Sequence, residues 1–206
     1  MSKAVSEAER TENRQKFLTG HDITPERTVL VRLQYAGDDY CRYLTVGQGE
    51  AGEGVTKPSN LVSDALFTSE RDLALFLPIA DCIGAVLYDP VNHILGLVHL
   101  GRHNLVQSGA SKAVDYMHDT FGTSPADLLV RMSPAAGRES YPLYDFNDQG
   151  MHDVARTQLR STGVLAQNII IDERDTTTNR TFFSHSEFLK GNRETDGRQA
   201  MVAMMR

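Results

Sequence analysis

Two periodicities divide the apolar positions of this chain. Thr28 to Tyr35 (TVLVRLQY) alternates and carries β-branched residues, which predicts a strand, and Cys41 to Val46 predicts a second. Ala65 to Ser69 predicts a short strand, and Leu73 to Tyr88 is long enough for one extended or two consecutive strands. Asp89-Pro90-Val91-Asn92 has turn composition, because Pro presets φ while Asp and Asn favour the flanking positions. Ile94 to Leu100 is then the returning strand. From Val106 the period changes: Val106, Ala110, Ala113, Val114, Met117 and Phe121 fall on one helical face, and Gly122 and Pro125 follow as stop signals. Leu128 to Met132, Asn168 to Asp172 and Gln199 to Met205 predict further strands. Asp148 to Ser161 predicts a second long helix ended by Gly163, and Ser6 to Leu18 a short first one closed by Pro25. Strands early, helices later and strands again indicate an α+β fold with mixed β-sheet flanked by helices. No repeat or linker divides residues 1–206, so a single domain is expected, with 1–12 a poorly ordered tail or the start of the first helix.

Composition narrows the picture. The chain has 206 residues, 40% hydrophobic, which is enough to bury a core without disulfide or metal staples. A net charge of −6 gives no overall electrostatic footprint for a nucleic-acid polymer. Leu73 to Tyr88 is interrupted by Pro78 and Asp81 and is too short for a membrane span. With a polar start and two cysteines, Cys41 and Cys82, a reducing, cytoplasmic setting is expected.

Gly47-Gln48-Gly49-Glu50-Ala51-Gly52 satisfies G-x-G-x-x-G, but Glu50 and Glu53 would repel a phosphate, and Gly54 and Pro58 deny the helix that the motif requires. A flexible loop is expected there. More informative is the pair Cys82 and His99. A tight turn with Pro90 and Val91 at its tip sets Tyr88 opposite His93, Val86 opposite Leu95, Gly84 opposite Leu97 and Cys82 opposite His99, all on shared faces. A one-residue slip would separate the last pair, so the inference depends on the turn. A thiolate and an imidazole so placed can share a zinc ion with an open position, or exchange a proton for nucleophilic attack. Buried packing of both residues is the plainer alternative. His93 is expected at the turn in solvent, Cys41 in the core, and Ser184-His185-Ser186 forms no catalytic dyad. His103, four residues beyond His99, is a candidate third metal ligand.

Four ordered motifs then resemble the YfiH-like, laccase-domain (polyphenol oxidase) family, several of whose members are regarded as purine nucleoside phosphorylases with adenosine deaminase activity. These are Asn13-Arg14; Ala80-Asp81-Cys82 with Asp89-Pro90 and His99-Leu100-Gly101; Phe182-Phe183-Ser184; and Gly197-Arg198-Gln199-Ala200. The resemblance spans residues 13 to 206. It implies mixed sheets flanked by helices and a pocket whose metal, usually zinc, is held by His, Cys and His, with Cys82 and His99 as the second and third of these. Purine nucleosides and phosphate would be the substrates, with Arg102 the nearby basic candidate for phosphate. The fold also resembles a bacterial toxin deamidase with a Cys–His pair.

The departures are as informative. The family's Q-x-H-G stretch is Gln34-Tyr35-Ala36-Gly37 here, so Ala36 occupies the position of the usual first histidine ligand; aligning at Gln48 restores no histidine either. Ser133-Pro134-Ala135-Ala136-Gly137 lacks the family's cysteine, and the family's R-x-G-G-x-S opening is absent. His103 or His21 would have to complete a zinc site. Three readings follow: a divergent enzyme acting on purine nucleosides by phosphorolysis, deamination or both; a non-catalytic homologue binding a small ligand or protein; and a metal-independent Cys–His hydrolase or deamidase with Cys82 as nucleophile. Multicopper oxidation of phenols would need more His and Cys ligands than this cleft offers.

Overall fold

The computed structural model describes residues 6–206, so residues 1–5 of the expected tail lie outside it. The strands are β1 (Thr28–Leu30), β2 (Tyr43–Thr45), β3 (Ala65–Thr68), β4 (Ala74–Ile79), β5 (Ile83–Asp89), β6 (Ile94–Leu100), β7 (Leu129–Met132), β8 (Ile169–Ile171) and β9 (Gln199–Ala203). They form two sheets, a six-stranded one in the order β2-β3-β6-β5-β7-β8 and a three-stranded one in the order β1-β4-β9. Both mix parallel and antiparallel pairs. Helices α3 (Gly109–Phe121) and α4 (Met151–Ser161) cover one face of the larger sheet, burying Ala113, Val114, Met117, Val154 and Leu159 against Ala85, Leu87 and Val98. The small sheet covers the other face through Leu75, Leu77, Leu95 and Leu97. Helix α1 (Glu7–Thr19) closes the far side of the small sheet with Leu18 on Phe76. Its start is set by Ser6, whose hydroxyl accepts from Glu9 N–H while the Glu9 carboxylate takes the Ser6 N–H, a reciprocal cap.

Several elements are shorter than their apolar runs. Leu73 to Tyr88 is two strands in different sheets, separated by a corner at Ala80-Asp81-Cys82 in which Asp81 takes φ 72°. The second predicted strand begins only at Tyr43, because the Arg42 N–H is taken by the Asp64 carboxylate rather than by a ladder. The helical run from Val106 is broken. Ser108 at φ 61° separates α3 from the short α2 (Arg102–Val106), and Val106 lies outside the core. Helix α4 starts three residues later than Asp148, since Asn147 and Asp148 are both left-handed. The glycine-rich stretch opens no α-helix, only a 3-10 turn at Gln48–Glu50. It is also knitted to β1, through Leu30 N–H to Glu53 O and Gly52 N–H to Thr28 O, where a flexible loop was expected.

The hairpin register decides the site. Asp89 pairs with Ile94, Gly84 with His99 and Ile83 with Leu100, two residues away from the expected pairing. The turn is longer than a two-residue tip: the Asp89 carboxylate accepts the Val91 and Asn92 N–H groups, and His93 ends the loop at φ 55°, exposed. An even slip keeps every side chain on its original face. Val86, Tyr88, Leu95 and Leu97 face the small sheet, and so do Gly84 and His99. Cys82 continues that alternation just before β5 begins.

Candidate functional site

The site forms where the two sheets part, at the corner between β4 and β5. His99 is buried near the end of β6, with its backbone N–H held by Asp64 O at 2.8 Å. A side chain at Gly101 would place its Cβ 2.9 Å from Cys82 Sγ and 3.2 Å from His99 Nε2. Glycine therefore leaves open the spot on which the thiol and the imidazole converge. Neither ring nitrogen of His99 has a hydrogen-bond partner, although both are buried. An orphaned buried polar group costs free energy and usually marks a site completed by something else. Burial pushes the imidazole down to about 4, against the opposing pull of Asp64 and with help from His103. Burial also pushes the Cys82 thiol up to about 12; Asp81 adds to the rise and Arg198 opposes it. Both groups are thus neutral at pH 7.

Two buried aspartates build the walls. Asp81, in the left-handed corner, accepts the Thr176 hydroxyl at 2.8 Å and the Ser186 N–H at 2.7 Å, while its carbonyl accepts Ala136 N–H at 2.8 Å. Three distant segments are tied in this way to the residue preceding Cys82. Asp64 takes a two-pronged ion pair from Arg42, at 2.7 and 3.0 Å, and Arg42 also donates to Gln34 O at 2.6 Å. That bond anchors the segment carrying Tyr35, whose ring stands edge-on to His99 with centroids 6.5 Å apart. Tyr35 forms an exposed lip. Its hydroxyl is raised to about 12, chiefly by burial and by Cys82, with Arg198 opposing. Tyr141 also neighbours Cys82, and Arg102 lies near Tyr141.

The other candidates have partners of their own. His103 stacks on Tyr40 with ring centroids 4.7 Å apart, and His21 is held by Phe17 O at 2.7 Å at the end of α1. Gln48 contacts Glu70 and Arg71 O. Cys41 is half-buried beside Asn104. Ser184 caps helix α5 (His185–Leu189), and His185 pairs with Asp196 at 2.9 Å. Among the described residues no three His, Cys, Asp or Glu side chains converge as a metal site. Cys82 and His99 offer two donors and Ala36 none, so the residues present do not make the three-ligand set of an open zinc site. Sequence reasoning passed over Tyr35, Asp64, Tyr141 and Arg198 as site residues. Asp64 could have been noticed as an acid heading the apolar run of β3, and Arg198 as the basic member of its motif.

A family description of multi-copper polyphenol oxidoreductase laccase proteins matches residues 4–151. The chain belongs to this family. Among its laccase-domain relatives, purine nucleoside phosphorylase YlmD of Bacillus subtilis is 26% identical over 106 residues, covering 50% of this chain and 38% of that protein. A Streptomyces coelicolor purine nucleoside phosphorylase is 38% identical over 78 residues, covering 38% of this chain and 32% of that protein. The chain therefore matches about a third of the length of each. A Bacteroides thetaiotaomicron purine nucleoside phosphorylase aligns over 91% of this chain and 76% of its own length at 22% identity. The solved structures of Bacillus licheniformis YfiH (TM-score 0.85, 22% identity, 98% of this chain and 82% of that one) and Geobacillus stearothermophilus YlmD (0.84, 23%, 100% and 84%) share its fold. No helix among the described residues is long and apolar enough to cross a membrane.

Proposed function

We propose that this laccase-domain chain acts on purine nucleosides and phosphate at the Cys82–His99 pocket, with phosphorolysis as the reaction. The observation that carries the reading is the convergence of a thiol and an unpartnered, buried imidazole on the space above Gly101. The names of its relatives supply the substrate class. In phosphorolysis a phosphate oxygen bonds to C1′ of the ribose, the C1′–N bond breaks, and its electron pair leaves with the purine. The proton that phosphate loses ends on the purine. A neutral imidazole presents one N–H and one bare nitrogen, so His99 can pass that proton without ionising. Tyr35 offers an aromatic edge at the mouth for a base to pack on. Deamination of adenosine at the same pocket would need an activated water, and zinc there would need a third ligand beyond Cys82 and His99.

The test is phosphate-dependent release of base from inosine, guanosine and adenosine by the wild type and His99→Ala, with elemental analysis of the wild type and Cys82→Ala alongside. Release abolished by His99→Ala supports the reading, and ammonia formed from adenosine would add the deaminase activity. Near-stoichiometric zinc lost in Cys82→Ala would supply the missing cofactor. No turnover by well-folded wild type would leave the second reading, a ligand-binding homologue, which Ala36 and the stacked His103 favour. The thiol-hydrolase reading is disfavoured by a thiol pushed up to about 12, because the thiolate is the nucleophile.

A further inference from the structure

Arg198 is exposed, but its backbone path and one of its guanidinium nitrogens are held. Gly197 lies against the Phe183 ring so closely that a Cβ there would come within 2.2 Å of it, which fixes the path of the chain just before Arg198. The Phe183 N–H is accepted by Gln199 Oε1 at 3.1 Å, immediately after it. Arg198 Nη1 donates to Asp196 Oδ1 at 2.5 Å and to Gly197 O at 2.7 Å, and the same Asp196 oxygen meets His185 Nδ1 at 2.9 Å. Helix α5, which carries His185, is tied to the Cys82 corner by Ser186 N–H on Asp81.

The register brings this assembly to the pocket. Gln199 pairs with Ile79, so one further step along the same ladder sets Arg198 opposite Ala80, two residues before Cys82. Met201 of the same strand lies over Gly84, whose partner across the hairpin is His99. Nε and Nη2 of Arg198 have no partner among the described residues. The neighbouring acids are already engaged: Asp81 by Thr176 and Ser186, Asp64 by Arg42, and Asp196 by His185 and Arg198 itself. In a chain of net charge −6, a guanidinium held this way can draw an oxyanion to the pocket. Arg102, the basic candidate from the sequence, lies near Tyr141, which itself neighbours Cys82, and is the competing cation in the test below.

We infer that Arg198, oriented by Asp196, forms the oxyanion subsite of the Cys82–His99 pocket and takes inorganic phosphate through its unpartnered guanidinium edge. The inference rests on the pocket being the substrate site proposed above, and it assigns the co-substrate's position within it. Asp196 is a positioning residue.

The experiment is calorimetric titration of the intact chain with inorganic phosphate, without nucleoside, for wild type, Arg198→Gln, Arg198→Lys, Asp196→Ala, Asp196→Asn, Arg102→Gln and the remote control Arg156→Gln. Thermal melts establish that each variant is folded. Wild type and Arg156→Gln should bind alike, and Arg198→Gln should weaken binding about tenfold or more. Arg198→Lys should fall between them, because lysine keeps the charge but not the fork. Asp196→Ala should lose less than Arg198→Gln, and Asp196→Asn should recover most of that loss, which a merely structural role would not predict. A second readout uses Cys82, alkylated by anionic iodoacetate and by neutral iodoacetamide. The rate ratio cancels the thiolate fraction, so a preference for iodoacetate that Arg198→Gln removes would report the cation directly. Wild type that binds no phosphate, or binding lost in Arg102→Gln and kept in Arg198→Gln, would overturn the inference. Phosphate bound through Arg198 without base release would instead sink the proposed reaction and leave the subsite standing. Turnover with an unchanged phosphate KM in Arg198→Gln would do the reverse.

Discussion

The β5–β6 hairpin presents two faces that differ in kind. Toward helices α3 and α4 it shows Ile83, Ala85, Leu87, Val98 and Leu100, all buried and apolar. Toward the small sheet it starts the same way, with Leu95 and Leu97, but ends in Gly84, His99 and the Cys82 corner. The helical face is covered along its whole length. On the other face, β4 turns out of the small sheet at Ala80 just where the hairpin runs out of partners, and the polar groups collect in that gap. One pair of strands thus supplies stability from one side and the candidate site from the other.

The largest effects should separate these two faces. His99→Ala should reduce turnover about a hundredfold or more while leaving the melting temperature near or above the wild-type value, since it removes two orphaned nitrogens. Leu87→Ala on the opposite face should cost about 2–5 kcal/mol in urea unfolding and leave turnover per folded molecule intact. A His99→Ala variant with full wild-type turnover, or one that unfolds, would merge the two faces again.

Next in size is the corner itself. Asp81→Ala should destabilise by about 3 kcal/mol in urea unfolding, because the Ser186 N–H and the Thr176 hydroxyl lose a charged acceptor and the left-handed backbone loses a residue type that tolerates it. Asp81→Asn should cost less.

The pH dependence sharpens the same contrast. His99 has a folded pKa of about 4, below its ordinary value of 6.5, so below pH 6.5 the unfolded chain takes up a proton that the native one refuses. Its contribution is fully present above pH 6.5 and is lost as pH falls toward 4, by up to about 3 kcal/mol. Urea unfolding of wild type minus His99→Gln between pH 7.5 and 4 isolates this slope. A flat difference would mean that the ring is solvated. The smallest effect concerns the helical face's own polar contact: Tyr43→Phe removes the 2.7 Å bond to Gly109 O and should cost about 1 kcal/mol, with no change in turnover.

Much of this was legible in advance. The strand pattern of the hairpin, the amphipathic face of α3 and the shared face of Cys82 and His99 all follow from local periodicity and turn chemistry. The direct opposition of Cys82 and His99 is overturned, since Gly84 pairs with His99, but the two side chains keep one face because a slip of two residues preserves side-chain direction. His103 stacks on Tyr40 because α2 begins at Arg102 and turns that ring, an event no spacing from His99 announces. The glycine-rich loop looked mobile by composition, yet β1 holds its backbone.

By itself, then, the sequence determined which residues could do chemistry and which faces of the hairpin they share, since alternation and turn residues act over a few positions. The tertiary structure decided what surrounds them. It split one apolar run between two sheets, brought Thr176, Ser186 and Arg198 from the end of the chain to the Cys82 corner, and left the His99 nitrogens without partners. Those outcomes depend on contacts between segments about a hundred residues apart, whose entropy cost is met only when the whole core assembles.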